Sequence, residues 1–561
     1  MKKFSSNIKT FCTIIMLLTA AKTVSYGQSA PQLNGNIISA SQFTTTEMLQ
    51  TSGNDYSLTT GRAAAMGGAF TALGGDMASI GINPAGLGMY SSSVWGFSPT
   101  MTFSGMRNGF AEMQDSRATR FGFNNIGTVL RIHEQSHGII SVNFGFSYNK
   151  TDDFNYSSRI KLPASSNGSI LNILQLQLNG LYPFISGGEW LGLSENALNN
   201  DPFNNTDIYI DEWGAVLGYQ SGVLPAAGDY IYGLSGIPES GTVTSSLLYE
   251  SRGSAGDYNI AGGFNIENIV YLGFNFGFRD IYRNAALYYT EDYSDGFEGT
   301  SQLYLRQLRY NQYITSRGSA FNFKIGAIVR PTPSLRIGIA YHSPSYTSLQ
   351  HEYYAGMGTS HFGNPNSAYF NSLITDYEYA YNTPSRLLTG LAFTVGNFMA
   401  VSFDYERVWY NNMSYRSETY DIRENFRTVI RDRYRPADNF RIGLEIKPLP
   451  IFALRAGYAY YGSPIREKSD SGETLIFNRI FTTSSSHISA GIGIWLGAAT
   501  TLDIAYVYSR SRVAPYDLYY YNGPARLPEG DFNNVTYSAY DYTPEGYLNR
   551  SAVTMTFNFM F

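Results

Sequence analysis

From about Ser91 to the C-terminus the chain keeps returning to segments in which apolar residues occupy every second position, the period that places alternate side chains on opposite faces of a strand. In the last segment Val553, Met555, Phe557, Phe559 and Phe561 share one face, and Thr554, Thr556 and Asn558 the other. Val270, Leu272, Phe274, Phe276 and Phe278 oppose Gly273, Asn275, Gly277 and Arg279, while Phe321, Phe323, Ile325, Ala327 and Val329 oppose Asn322, Lys324, Gly326 and Arg330. Further runs set Leu335, Ile337 and Ile339 against Arg336 and Gly338, and Phe440, Ile442, Leu444 and Ile446 against Arg441, Gly443 and Glu445. One face is oil and the other is charge and glycine, in runs of about ten residues, the length that crosses a bilayer at a tilt.

The spacing of the runs predicts closure. Tight connections around Glu134 to His137, Glu267-Asn268, Pro331 to Ser334, Gly396-Asn397, Lys447 to Pro450 and Gly497 to Thr500 alternate with long polar stretches near 104–118, 151–253, 284–300, 347–383, 412–437, 464–480 and 513–547. Short turns on one side and long loops on the other are the habit of outer-membrane barrels, and the count comes to about fourteen strands. The expected fold is an all-β, antiparallel transmembrane barrel over 91–561, with 151–253 a long, partly helical extracellular loop. Tyr282, Tyr288, Tyr289, Tyr405, Trp409, Tyr410, Tyr458, Tyr460, Tyr461, Tyr506 and Tyr508 crowd the strand ends that lead into long loops and read as an aromatic girdle.

The N-terminus sets the compartment. Lys2, Lys3 and Lys9 precede an apolar stretch, Phe11 to Ala21, too short to span a bilayer; residues 1–27 read as a cleaved export signal. The single cysteine, Cys12, lies within it, so the mature chain has no thiol and no disulfide framework. Removing 1–27 takes away four lysines and no acid, and moves the net charge from -5 to -9. An acidic chain without a basic stripe offers nucleic acid no footprint. Charged residues make up 15% of the chain and aromatics another 15%, with 46 Tyr and 35 Phe, so charge has been exchanged for aromatic area.

Residues 28–90 lack alternation and are small and turn-rich, above all from Gly61 through Met66-Gly67-Gly68-Ala69-Phe70 and Gly74-Gly75-Asp76 to Asn83-Pro84-Ala85-Gly86-Leu87. This run resembles the N-terminal hatch and Asn-Pro-Ala signature of the FadL/TodX outer-membrane transport family. The resemblance implies a fourteen-stranded barrel plugged by its N-terminus, taking long-chain fatty acids or similar hydrophobic compounds from an extracellular groove and releasing them sideways into the membrane. It marks Gly67, Gly68, Asp76, Asn83, Pro84 and Ala85 as hatch residues. A leader wrapped on the barrel rim is the alternative placement for 28–90.

The remaining candidates follow from residue chemistry and from that resemblance. Ile170, Leu171, Ile173, Leu174, Leu176, Leu178 and Leu181 form a helix-length apolar patch, with Leu171, Leu174 and Leu178 as groove candidates or else as one side of a packed loop helix. The inward charges Arg279, Arg336, Arg441 and Arg455 either pair across the lumen with Asp404, Glu406, Glu445 and Asp503, or offer a planar fork to a ligand carboxylate. Gly145, in the third predicted strand, is either the kink of a lateral gate or a glycine that makes room for the plug. No catalytic motif is present, no cofactor or metal is expected, and His351 with His361 as heme ligands, or Glu291, Asp292, Asp295 and Glu298 as a calcium loop, are the weaker chemistries. The expectation is a monomer in the Gram-negative outer membrane, in contact with outer-membrane lipid and a fatty-acid-like ligand. A non-transporting secretion or surface-assembly subunit and a hemin receptor are the alternatives.

Overall fold

The computed structural model describes residues 47–52, 59–108, 116–162, 164, 169–179, 192–205, 208, 210–228, 231–232, 242–294, 305–362, 364–418, 420–466, 482–513, 520–526, 532–538 and 546–561. The export signal, the first part of the 28–90 region, and Asp295 and Glu298 lie outside the described residues.

Fourteen antiparallel strands close on themselves: β1 (Val94–Asn108), β2 (Ser116–Glu134), β3 (Ile139–Asp153), β4 (Val243–Ile266), β5 (Val270–Tyr293), β6 (Leu305–Thr332), β7 (Leu335–His342), β8 (Arg386–Val395), β9 (Met399–Val408), β10 (Ala437–Leu449), β11 (Phe452–Tyr461), β12 (Thr482–Trp495), β13 (Thr500–Val513) and β14 (Gly546–Met560). Each pairs with its sequence neighbour, and β14 pairs with β1, as in Phe97↔Phe557. Pairing the first strand with the last is how a membrane-spanning sheet satisfies its two outermost edges. The tight turns fall where predicted; at one of them Glu267 and Asn268 both adopt positive φ, at 54° and 55°, the geometry a two-residue hairpin demands.

The oily stripe faces outward as the periodicity required. Leu272, Phe276, Phe278, Ile325, Ile337, Ile442, Leu454 and Phe559 are exposed, while Asn275, Arg279, Lys324, Glu445 and Arg455 on the opposite face are buried. No helix among the described residues is long and apolar enough to cross a membrane.

Several strands run well past a bilayer's need, and here the expected loops give way. β4 and β5 have 24 residues each and β6 has 28. Much of 347–383 is also strand, because Tyr346–His361 pairs with the upper part of β6. Along these extensions the alternation keeps its parity and reverses its polarity. In β6, outward Phe321 and Phe323 give way to outward Gln307, Arg309 and Asn311, while inward Asn322 and Lys324 give way to inward Leu308, Tyr310 and Ile314. Outside the membrane the surrounding medium is water, so the apolar face turns to the interior. There it packs with α3 (Ile170–Asn179) and α4 (Trp213–Gln220) in one core. The helices α1 (Gly61–Ala65) and α2 (Ser79–Ile82) belong to the N-terminal segment.

The girdle needs correction at two residues. Tyr282, Tyr458, Tyr460, Tyr506 and Tyr508 are exposed, but Tyr289 is 2% exposed and lies in the interior core, because it has the inward parity. Tyr461 likewise stacks under the Arg441 guanidinium, 5.3 Å from ring centroid to Cζ.

Candidate functional site

Residues 59–90 meet the inward faces of strands around the circumference. Thr60 caps α1 by accepting from the Ala63 amide and donates to Asp76 (2.7 Å). The Gly61 amide donates to Thr556 of β14 (2.7 Å) and the Thr71 amide to Asp404 of β9 (2.8 Å). Arg62 forks onto both Glu445 oxygens of β10, at 2.9 and 3.0 Å. On the other side the Asn143 side chain of β3 donates to the Leu87 carbonyl (2.6 Å), Asn275 of β5 to Ile80 (2.5 Å), and Arg336 of β7 to Leu73 (2.5 Å).

The sequence run Gly67 to Ala85 is thereby drawn into one compact unit. Gly67 and Gly68 take positive φ, at 63° and 75°, and a side chain on Gly67 would strike the Tyr458 backbone. Asn83 accepts from the Ala85 amide (3.1 Å), which caps the 3-10 turn begun by Pro84, and it donates to the Thr71 carbonyl (2.6 Å). The Pro84–Ala85 backbone passes so close to Gly273 of β5 that no Cβ fits between them. Asp76 accepts from the Ala78 amide (2.8 Å) as well as from Thr60.

The inward arginines are all engaged. Arg279 pairs with Asp257 (2.7 Å), which also holds Lys324 (3.3 Å). Arg441 and Arg386 share Glu406, and Arg455 bridges Glu445 (2.6 Å) and Asp503 (2.5 Å). Arg279, Arg441 and Arg455 thus each meet at least one buried carboxylate. Asp257 and Asn143 are absent from the sequence reading, and Asn275 stands there as an inward residue without a partner named. Their signal was the same period of two, since each is a polar residue at an inward position.

The groove candidates Leu171, Leu174 and Leu178 are 0, 5 and 0% exposed, buried against Trp213, Leu247, Leu308 and Tyr310. The acidic loop is also rearranged. Glu291 sits within β5 at 0% exposure, accepting from Tyr289 (2.6 Å), Tyr293 (2.5 Å), Ser169 (2.5 Å) and the Ile170 amide (2.8 Å). It anchors the N-terminus of α3, where a carboxylate suits the exposed amides. Among the described residues no cluster of three or more His, Cys, Asp or Glu could hold a metal. His351 and His361 stand ten residues apart on one strand, roughly 33 Å at the usual rise, too far to share a heme iron.

Among the described residues the wall parts at a seam between β2 and β3. β2 and β3 pair from Glu134↔Ser141 up to Asn125↔Asn149 and no further, although both strands continue. Beyond that point β2 pairs only with β1. Against β4, β3 skips Thr151 between Lys150↔Gly256 and Asp152↔Ala255. The Asp153 and Asn155 carbonyls then accept from inward groups of more distant strands, Arg550 of β14 (2.8 Å) and Ser104 of β1 (3.1 Å). β3 therefore parts from β2 and bends inward at a one-residue bulge while staying paired with β4, a pairing that Tyr156–Lys161 continues. On the lipid face an open depression lined by Phe123, Ile126, Tyr148 and Tyr258 lies beside the seam. Gly145 is elsewhere: its register is unbroken, with Val129 on one side and Ala261 on the other. A side chain there would come within 2.9 Å of Ile80 and 3.2 Å of Leu87. The irregularity belongs to Thr151, and Gly145 makes room for the N-terminal segment.

Comparison with known proteins gives the context. The family model described as outer membrane protein transport protein (OMPP1/FadL/TodX) matches residues 247–522. Similar solved structures include the P. putida toluene transporter TodX, at 10% identity over 90% of this chain and 99% of that one, TM-score 0.49. A Pseudomonas aeruginosa FadL homologue aligns at 10% identity over the same shares, TM-score 0.47. The Ralstonia pickettii toluene transporter TbuX aligns at 14% identity over 90% and 99%, TM-score 0.46. No curated protein sequence matches the chain. Residues 247–522 run from within β4 past the end of β13, and over that length the chain is similar to the OMPP1/FadL/TodX family of outer membrane transport proteins.

Proposed function

We propose that this protein takes up fatty-acid-like hydrophobic molecules from outside the cell and releases them sideways into the outer membrane through the seam between β2 and β3. The observation that carries the reading is the parting of β3 from β2 above their last pair, Asn125↔Asn149, next to the bulge at Thr151. Two further features support it. Residues 59–90 act as a plug whose hydrogen bonds to at least six strands oppose direct passage to the periplasm. The seam opens beside aromatic and aliphatic side chains, Phe123, Ile126, Tyr148 and Tyr258, which suit an apolar ligand leaving for lipid.

Deleting Thr151 removes the bulge residue and lets β3 run on in register with β4. In liposomes the deletion variant should take up a long-chain fatty acid at least about tenfold more slowly than the wild type, with the barrel still folded. Undiminished uptake would remove the route, and free passage of small sugars through the wild type would replace it with an ordinary porin.

A further inference from the structure

Above the membrane the outward face of β5, β6 and Tyr346–His361 carries a tyrosine platform. Tyr313 and Tyr354, cross-strand partners, stack at 4.4 Å and 12°. Tyr288 meets Tyr313 edge to face at 5.7 Å and 86°. Tyr369, 50% exposed, lies over Gly356 and Gly358, two outward glycines whose missing side chains leave room for its ring. Asn311 donates to the Tyr369 hydroxyl (3.2 Å), and Arg309 to Gln307 (2.6 Å). The rings are thus packed on one another, Tyr313 face to face with Tyr354 and at right angles to Tyr288, with amide and guanidinium groups beside them.

The height of this patch selects its partner. The platform continues the lipid-facing side of the same strands, and the large apolar residues of that side end at the register pair Phe278↔Phe321. Tyr313 is eight residues above Phe321, about 26 Å along the strand and roughly 20 Å along the membrane normal at the tilt of such barrels. Phospholipid headgroups extend only about 5 to 8 Å beyond the hydrocarbon. At the platform's height the membrane component within reach is the sugar chain of an outer-leaflet glycolipid. Sugars present flat C–H faces that stack on aromatic rings and hydroxyls that pair with amide and guanidinium groups.

We infer that Tyr288, Tyr313, Tyr354 and Tyr369, with Asn311 and Arg309, form a binding surface for the saccharide of outer-leaflet glycolipid, which seats the protein laterally in its membrane. This surface is separate from the uptake route, and its test does not depend on transport. Fluorescent lipopolysaccharide with its complete core, and a form truncated to the lipid anchor, would be titrated against purified protein in detergent. Wild type should bind the complete form at least tenfold more tightly, and Tyr313→Ala/Tyr354→Ala should abolish the difference while circular dichroism retains the barrel signature. Should the double variant misfold, Tyr369→Ala should narrow the difference at least threefold. Equal binding of the two forms by wild type, or an undiminished difference in a folded variant, would overturn the assignment. So would a free core oligosaccharide that binds as tightly as the lipid-anchored one.

Discussion

The lower and upper halves of the wall are made of the same strands at the same parity, yet their interiors are opposite in character. In the lower half the outward face is Phe276, Phe278, Phe323 and Ile325, and the interior is polar, with Asp257, Arg279, Lys324, Asn275 and Glu445 bonded to one another and to residues 59–90. In the upper half the outward face carries Gln307, Arg309 and Asn311, and the interior is a dry core of Leu171, Leu174, Leu308, Tyr310 and Met357. Parity is fixed by backbone geometry, whereas polarity follows whichever medium each face meets. A strand that passes from lipid to water must therefore exchange its faces, and the exchange marks the membrane surface along β5 and β6.

The comparison can be broken most sharply from the lower interior. Asp257 faces both Arg279 and Lys324, with all three side chains at most 2% exposed. Asp257→Ala should cost about 3 to 5 kcal/mol in unfolding from detergent, because it removes a buried carboxylate that two buried cations share. The upper interior answers to packing instead: Leu308→Ala, at a fully buried site, should cost about 2 to 5 kcal/mol and loosen the loop core before the barrel. On the outward face, Phe323→Lys should destabilise by roughly 2 to 4 kcal/mol if the site lies near the midplane. Asn311→Lys, on the same face of the same strand, should stay within about 0.5 kcal/mol. Equal costs at the two sites would refute the reversal.

The same reversal explains what the sequence made legible. The lower strands were plain because oil-out alternation is a strong signal in Val270 to Phe278 and Phe321 to Val329. Their extensions were read as loops, since Asn284 to Asp292 and Thr347 to Thr359 look merely polar when the apolar residues are sought on the outward face. The girdle erred at Tyr289 for this reason: one step of parity separates it from outward Tyr288. The Asn83-Pro84-Ala85 turn and its glycines were legible because backbone constraints are written in residue type. The seam was not, because a bulge at Thr151 is a fact of register between strands distant in sequence, and nothing in Thr151 itself announces it.

A smaller effect sharpens the upper half. Burial pushes the Glu291 carboxyl above the usual glutamate range, against the hydrogen bonds that favour its ionised form. A group raised on folding stabilises fully below its unfolded value and loses that contribution as pH rises through the folded one. Amide exchange in Ile170–Asn179, corrected for intrinsic rates, should therefore speed up between pH 5 and pH 8, and Glu291→Gln should flatten the dependence; protection that grows with pH would oppose it.

The central claim, lateral release through the β2–β3 seam, is tested most directly by photo-crosslinking. A long-chain fatty acid with a photoreactive tail, irradiated during uptake and mapped by peptide mass spectrometry, should label Phe123, Tyr148 and Tyr258 beside the seam. Labelling confined to residues near the tight turns, such as Tyr271 and Met89, with none at the seam, would show passage past residues 59–90 to the periplasm and contradict the account.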